Sequence, residues 1–314
     1  MKLLHSVPAA NSSDTFFIPK GQYGTFYIQF DVIAQAGVTL TREDFGNIIL
    51  NWNGQDVINV DAEIINLLDN VYGGTSKFSS TVGADASMAC FLTAGLWFDS
   101  SNVYDIGGND KVYIKLDFPN LADSAKVASG QVKIYAKNKD GIMNYLHNIT
   151  ARPVPASGAS TLADSFPVNN VTQVYLKDPA ALTSNLQVVK DGITLVDAPP
   201  NELINYSDFI HQLETTSNTL AIDFVESRSL AEAVGSTISY KYTFTGAGTL
   251  QQYFSFIDFT PAKANESGNT LAKKQVPILS APNFRNVRDI GEGNNALNPV
   301  FSSTGKRLPP GLAT

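Results

Sequence analysis

Apolar positions in this chain fall into short runs with strand character, separated by turn residues. Thr25-Phe26-Tyr27-Ile28-Gln29-Phe30-Asp31-Val32-Ile33 is dominated by the aromatic and β-branched residues that strands prefer. Ile48-Ile49-Leu50-Asn51-Trp52 runs into Asn53-Gly54, and Leu186 to Lys190 runs into Asp191-Gly192. Both dipeptides tolerate the positive φ that a two-residue hairpin turn demands. Beyond each turn a second strand exits through Val-Asp-Ala, at Val60-Asp61-Ala62 and at Val196-Asp197-Ala198. The period then changes to that of a helix, with Ile64, Leu67, Leu68 and Val71 on one face. Asp61 is placed as its N-cap, Glu63 suits the positive end of its dipole, and Gly73-Gly74 stops it. The later copy has Pro200 near its first turn and Leu203, Tyr206, Ile210 and Leu213 at helical spacing.

The chain thus states one unit twice. Between turn and Val-Asp-Ala the second copy is two residues shorter, which is one strand period and leaves the inward and outward faces unchanged. Downstream, Leu116-Asp117-Phe118, Leu121-Ala122-Asp123 and Val132-Lys133-Ile134-Tyr135 match Ile222-Asp223-Phe224, Leu230-Ala231-Glu232 and Ile238-Ser239-Tyr240-Lys241-Tyr242. On this matching the turns are 138 residues apart and the Asp-Phe pairs 106 apart. The first copy then carries roughly thirty extra residues, a difference that a surface loop absorbs. Chance likeness between β-rich segments is the competing account.

These patterns predict an all-β chain of two tandem β-sandwich domains with short helices. Residues 1–15 read as a flexible arm and 16–152 as the first sandwich, with an inserted loop over 73–110 that itself reads as one or two strands joined by exposed loops. A linker over 153–166 is marked by Pro153, Pro155 and small residues. Residues 167–261 form the second sandwich. Residues 262–314 read as an extended tail rich in Asn, Gly, Pro and Ser, with a brief strand-like stretch from Gln275 to Leu279. The two domains are expected as separate sandwiches meeting near Pro153 to Ser160. The loop, anchored by Trp97 and Phe98, is expected at a subunit surface, dispensable to either sandwich.

Length supports two domains: 314 residues at ~100–200 per domain. The chain is 43% hydrophobic and only 16% charged, which suggests surface covered by neighbours. Net charge is −7 and pI near 5.0, which disfavours wholesale nucleic-acid binding. The charge is unevenly placed. Residues 262–314 hold seven basic residues (Lys263, Lys273, Lys274, Arg285, Arg288, Lys306, Arg307) against Glu266, Asp289 and Glu292, a net of +4, leaving −11 for the rest. A basic tail on an acidic body suits a tether to a neighbouring subunit or an anionic membrane. The single cysteine, Cys90, excludes an intrachain disulfide and reads as a small buried hydrophobe. No run approaches the ~18 apolar residues of a membrane span, and the apolar start Met1-Lys2-Leu3-Leu4 ends too early for a signal peptide. Synthesis in a reducing cytoplasm follows as the expectation.

Candidate chemistry is sparse. His5, His147 and His211 share no metal-ligand spacing, and no phosphate loop, nucleophile elbow or zinc motif occurs. Asp117 and Asp223 could be imagined as a glycosidase pair, but strand-end aspartates are the simpler reading. Asp56 and Asp61 could touch calcium, though not with EF-hand spacing. No catalytic, cofactor-binding or metal residues are assigned, and no cofactor is expected.

The strand entering Asn53-Gly54, the Val57-Ile58-Asn59-Val60-Asp61-Ala62 exit into a helix, and the second copy entered through Lys190-Asp191-Gly192 carry a resemblance. The sequence resembles the double jelly-roll major capsid proteins of icosahedral, membrane-containing bacterial viruses, notably the corticovirus type and that of the lipid-containing Flavobacterium phage FLiP. The resemblance spans about Phe16 to Pro261. It implies two eight-stranded rolls side by side and homotrimers of pseudo-hexagonal outline that tile a shell over an internal membrane. Minor capsid or vertex proteins are the further partners implied, with a virion location and no catalytic residues. The tail after Pro261 has no counterpart in the resemblance. A viral spike or receptor-binding sandwich, and a carbohydrate-active enzyme or lectin, remain as alternatives at this point. The first would lack the need for duplication, and the second needs an aromatic cleft with paired carboxylates.

Overall fold

A computed structural model of the chain describes residues 1–71, 78–96, 99, 101–204, 219–224 and 235–259. Several sequence expectations lie outside the described residues: Trp97 and Phe98, the helix stop at Gly73-Gly74, the face formed by Tyr206, Ile210 and Leu213, the Leu230-Ala231-Glu232 match, and the tail from Ala262.

In chain order the first half has β1 (Lys2–Pro8), β2 (Ser13–Phe17), β3 (Gly21–Ala34), β4 (Asn47–Trp52), β5 (Gln55–Asp61) and helix α1 (Ala62–Val71). Then come β6 (Phe78–Ser80), β7 (Asp85–Thr93), β8 (Tyr104–Ile106), β9 (Val112–Asp117), the single-turn α2 (Pro119–Ala122), β10 (Val127–Asn138) and β11 (Leu146–Ala151). The second half has β12 (Val154–Ser157), β13 (Ser160–Ser165), β14 (Val171–Lys177), α3 (Pro179–Leu182), β15 (Thr183–Lys190) and β16 (Ile193–Ala198). It closes with β17 (Thr219–Asp223), β18 (Ile238–Phe244) and β19 (Ala247–Asp258).

Period two builds the first core. In β3, Phe26, Ile28, Phe30, Val32 and Ala34 point inward and are buried, while Thr25, Tyr27, Gln29 and Asp31 alternate with them. They meet Ile48, Leu50 and Trp52 of β4 and Ile114 and Leu116 of β9 in one cluster. Each such side chain, fully buried, stabilises the fold by about 1.5–3 kcal/mol. A second cluster, with Val174, Leu176, Leu186, Tyr242 and Phe254, fills the other half.

The duplication is complete at the level of pairing. Within its sheets the first half has two antiparallel runs of four strands, β1-β10-β3-β7 and β5-β4-β9-β2. The second has β12-β19-β14-β17 and β16-β15-β18-β13, in the same order. The hairpin turns agree in detail. Asn53 and Gly54 have φ of 53° and 90°, and Asp191 and Gly192 have 51° and 81°, as a two-residue turn with two left-handed residues requires. Asn53 donates its N–H to Lys111 O (2.8 Å) and accepts the Lys111 N–H on Oδ1 (2.7 Å), just ahead of β9. Asp191 makes the same two bonds to Thr237 (3.0 and 2.8 Å), just ahead of β18.

That clasp corrects the sequence matching. β18 is the counterpart of β9 and β19 that of β10, whereas Ile222-Asp223-Phe224 ends β17, the counterpart of β7. The match slipped by one strand because strand exits look alike: an aspartate at the last pleat, then a buried Phe (Phe118, Phe224). The true surplus of the first half is smaller, since β10 and β19 start 120 residues apart against 138 at the turns. The segment 73–110 is therefore not a dispensable loop. β7 lies between β3 and β6 and buries Met88, Cys90 and Leu92 in the core. Among the described residues of this segment, the additions are β6 and β8.

Three further expectations change. The arm over 1–15 forms strands: β1 lies along β10 and β2 along β9. The 153–166 linker contains β12 and β13, paired with β19 and β18. Both stretches are short edge segments with no alternation strong enough to announce a strand. Finally, the halves are not separate sandwiches. A nine-stranded sheet runs β17-β14-β19-β11-β5-β4-β9-β2, with β12 also on β19. β11 joins the halves, antiparallel to β19 from Leu146↔Asp258 to Ala151↔Tyr253 and parallel to β5 at Ile149↔Ile58 and Thr150↔Asn59.

Candidate functional site

The joint made by β11 is where the polar groups of the two halves converge. Every residue of β14 except Lys177 is buried, because one face packs the second core while Tyr175 turns into the first, beside Ala221 and Tyr253. Lys177, at the end of β14, bonds Glu63 of α1 at 2.8 Å and Glu43 at 2.5 Å. Burial opposes its charge, but the two glutamates outweigh burial and raise its pKa. Tyr253 donates its hydroxyl to Asp61, the aspartate of the first Val-Asp-Ala exit. Burial, then that carboxylate, push the phenol up. Arg152, between β11 and β12, donates to Ser165 O (2.7 Å) and Asp164 (2.6 Å) and lies over the Phe166 and Tyr240 rings. His147 of β11 is buried; desolvation lowers its pKa to about 4, and its Nε2 has no hydrogen-bond partner among the described residues.

The sequence candidates for chemistry are satisfied elsewhere. Asp56 accepts from Asn51 (2.7 Å) and Asn59 (3.2 Å), and Asp61 accepts from Tyr253, so neutral donors occupy the oxygens proposed for calcium. No group of three or more metal-ligating side chains occurs among the described residues. His5 bonds Asp14 and stacks on Phe16; His211 lies outside the described residues. Cys90 is buried and its Sγ donates to Ala62 O at 3.3 Å. Asp223 accepts from Gln173 at 3.0 Å. Asp117 stands between Ser13 and Asn47 at the end of β9, where its carbonyl oxygen would lie 2.0 Å from a Cβ at Gly46 (φ 77°). Only glycine fits that crossing. The two aspartates end non-equivalent strands.

A shallow depression of about 640 Å³ lies on β3, β7 and β10, lined by Asp31, Asp85, Ser87, Gly130 and Lys133. No aromatic side chain lines it, and Asp31 is already held by Lys133 (3.1 Å) and Gln29 (2.8 Å). Among the described residues no helix is long and apolar enough to cross a membrane.

The residues of the joint, Lys177, Glu43, Tyr253 and His147, were not singled out by sequence reasoning for any role. One signal was available. Leu4-His5-Ser6-Val7-Pro8 and Leu146-His147-Asn148-Ile149 open alike, and β1 edges β10 as the β11–β12 run edges β19.

No family model matches the sequence, and no curated protein matches it. Among solved structures, the major capsid protein P2 from bacteriophage PM2 superposes with a TM-score of 0.56, covering 86% of this chain and 97% of its own at 14% identity. The fold is that of the double jelly-roll capsid proteins. The PBCV-1 virus capsid matches with a TM-score of 0.54, over 81% of this chain and 93% of its own at 8% identity. At these identities the shared property is the double jelly roll itself: two rolls of one topology, in tandem, within one chain.

Proposed function

We propose that the chain is the major capsid protein of an icosahedral virus, a structural tile located in the virion shell. The observation that carries this is the near-complete coverage of the PM2 major capsid protein by a chain whose two rolls repeat one pairing scheme. Two equivalent rolls per chain let three copies present six similar units, a pseudo-hexagonal trimer that packs edge to edge. The low charged fraction of 16% suits surfaces hidden in such contacts, and obligate interfaces commonly bury more than ~2,000 Å². We assign no catalytic role.

In this reading the rolls, residues 16–152 and 167–261, are completed by strands from 1–15 and 153–166. Minor capsid or vertex proteins are the remaining protein partners. The basic segment 262–314 tethers the tile to an acidic neighbour or to an anionic membrane beneath the shell, and synthesis takes place in the host cytoplasm. Light scattering and negative-stain microscopy of the purified protein test the core of the proposal. Trimers with a six-lobed outline, closing into sheets or shells, are the expected result. A stable monomer at high concentration, unmoved by salt or crowding, overturns it. Truncation after Pro261 tests the tail: shells equally salt-resistant, with undiminished binding to anionic vesicles, remove the tether.

A further inference from the structure

Within the chain, one roll meets the next by a single device. The first roll's second sheet ends in β5, and the outer edge of β5 takes β11 in parallel. β11 belongs to the run that edges β19 in the second roll. Each partner in this joint has a counterpart elsewhere. The counterpart of β5 is β16, which follows the equivalent turn and ends the sheet β13-β18-β15-β16. The counterpart of the β11–β12 run along β19 is β1, which edges β10. Among the described residues, neither β1 nor β16 has a strand on its outer edge.

A second observation points to the same two strands. Eight large hydrophobic side chains stand exposed among the described residues, and four of them are here: Leu3 on β1 with Met1 just before it, and Ile193 and Leu195 on β16. An open edge lined by apolar side chains is a template for another strand.

We infer that β16 of one copy takes β1 of a second copy on its outer edge, in parallel, repeating between chains the β5–β11 pairing made within one. The occupant is a second copy because this chain offers the matching edge on its other roll. The step from roll to roll then has the same form inside and between chains. A contact that joins two different patches either closes into a ring or grows without end. Three chains with six equivalent steps close it. The inference rests on the shell-tile reading and adds to it the strands and residues of the subunit contact.

The test combines Leu3→Cys and Leu195→Cys in the full chain, both at half-exposed positions, with the buried Cys90 left in place. A short bis-maleimide tolerates the unspecified register. The double variant is expected to give covalent dimers and trimers, and each single variant none. Mixing the two single variants is expected to restore the dimer band. A companion, Ile193→Lys with Leu195→Lys, should lower the trimer fraction at least tenfold with the far-ultraviolet circular dichroism unchanged. If trimers form but the double variant stays uncrosslinked, bonds only within one chain, or the lysine variant trimerises normally, the edge pairing is wrong and the tile reading stands. A wild-type protein that stays monomeric overturns the tile reading and this inference with it.

Discussion

β5 and β16 are counterparts in two settings, and so are the β11–β12 run and β1. In β11, Leu146, His147, Asn148 and Ile149 are all buried; in β1, only Val7 is. In β5, Val57, Ile58 and Val60 are buried; in β16, no residue is. The sequences differ less than this. Both second strands exit through Val-Asp-Ala, and both edge strands contain a Leu-His pair, Leu4-His5 and Leu146-His147. What lies beyond the outer edge decides burial, and the strand's own pattern decides only which residues share a face. The joint adds polar ties. Asp61 accepts from Tyr253 of the other roll, while its counterpart Asp197 takes Asn185 and Gln187 of its own sheet at 2.8 and 2.9 Å. Those two amide donors hold the Asp197 carboxyl below its usual range.

The comparison is broken most directly by truncating one apolar side chain in each setting. Ile149→Ala removes a buried side chain from the joint and is expected to destabilise by about 2–5 kcal/mol. Leu195→Ala, on the open edge, is expected to stay within about 0.5 kcal/mol in the unassembled chain. Urea unfolding of monomeric protein measures both. Equal losses would mean that the joint is no better packed than the edge.

Acid sharpens the difference next. His147 in the joint is held neutral, with its pKa lowered from 6.5 to about 4. The unfolded chain therefore takes up the proton first. Stability from this group is whole above pH ~6.5 and is lost as pH falls toward 4, at about 1.4 kcal/mol per pH unit and about 3 kcal/mol in all. His147→Gln should flatten that decline between pH 6.5 and 5, where most carboxylates remain charged. An unchanged slope would place the proton uptake elsewhere.

Much of the fold was legible in the sequence, and the losses have physical causes. The Asn53-Gly54 and Asp191-Gly192 turns were readable because positive φ restricts residue choice, and β3 because a half-buried strand must alternate. β7 was readable as a strand but was assigned to an insertion, because its match in the second copy was given to β9. Met88, Ala89 and Cys90 are consecutive buried residues, covered on both faces, so no period-two signal tied the strand to a core. β12 and β13 were missed because an edge strand can be polar and still pair, and β1 because Leu3 and Leu4 are adjacent and break the alternation. The joint was illegible for a different reason. Lys177 with Glu43 and Glu63 joins positions more than a hundred residues apart, and nothing local marks a lysine whose partners lie in the other roll.

That ion pair gives the third contrast. Lys177→Met leaves Glu63, with only 12% of its side chain exposed, facing an apolar neighbour, at a cost of about 1–3 kcal/mol. Glu43 is 65% exposed, so Glu43→Gln should matter less than Glu63→Gln. The half-buried Lys133–Asp31 pair on β10 and β3 should be worth under about 1 kcal/mol by double-mutant cycle. A Lys177 coupling no larger than that would remove the ion pair from the account of the joint.

The smallest difference between the settings is expected at the turns, which serve as the control. Gly54 and Gly192 have φ of 90° and 81°, and no heavy atom lies within 4 Å of the Cβ that either would carry. Substitution therefore meets no clash and costs only the left-handed backbone, about 1–2 kcal/mol for an L-residue. Gly54→Ala and Gly192→Ala should lower stability by the same amount, since Asn53 and Asp191 make the same clasp to Lys111 and Thr237. The turns match in backbone conformation and in this clasp, whatever their edge strands meet. If Gly54→Ala costs several times more than Gly192→Ala in the isolated chain, the turns are not equivalent. The pairing of β5 with β16 as counterparts, on which the contrast between joint and open edge depends, would then lose its anchor.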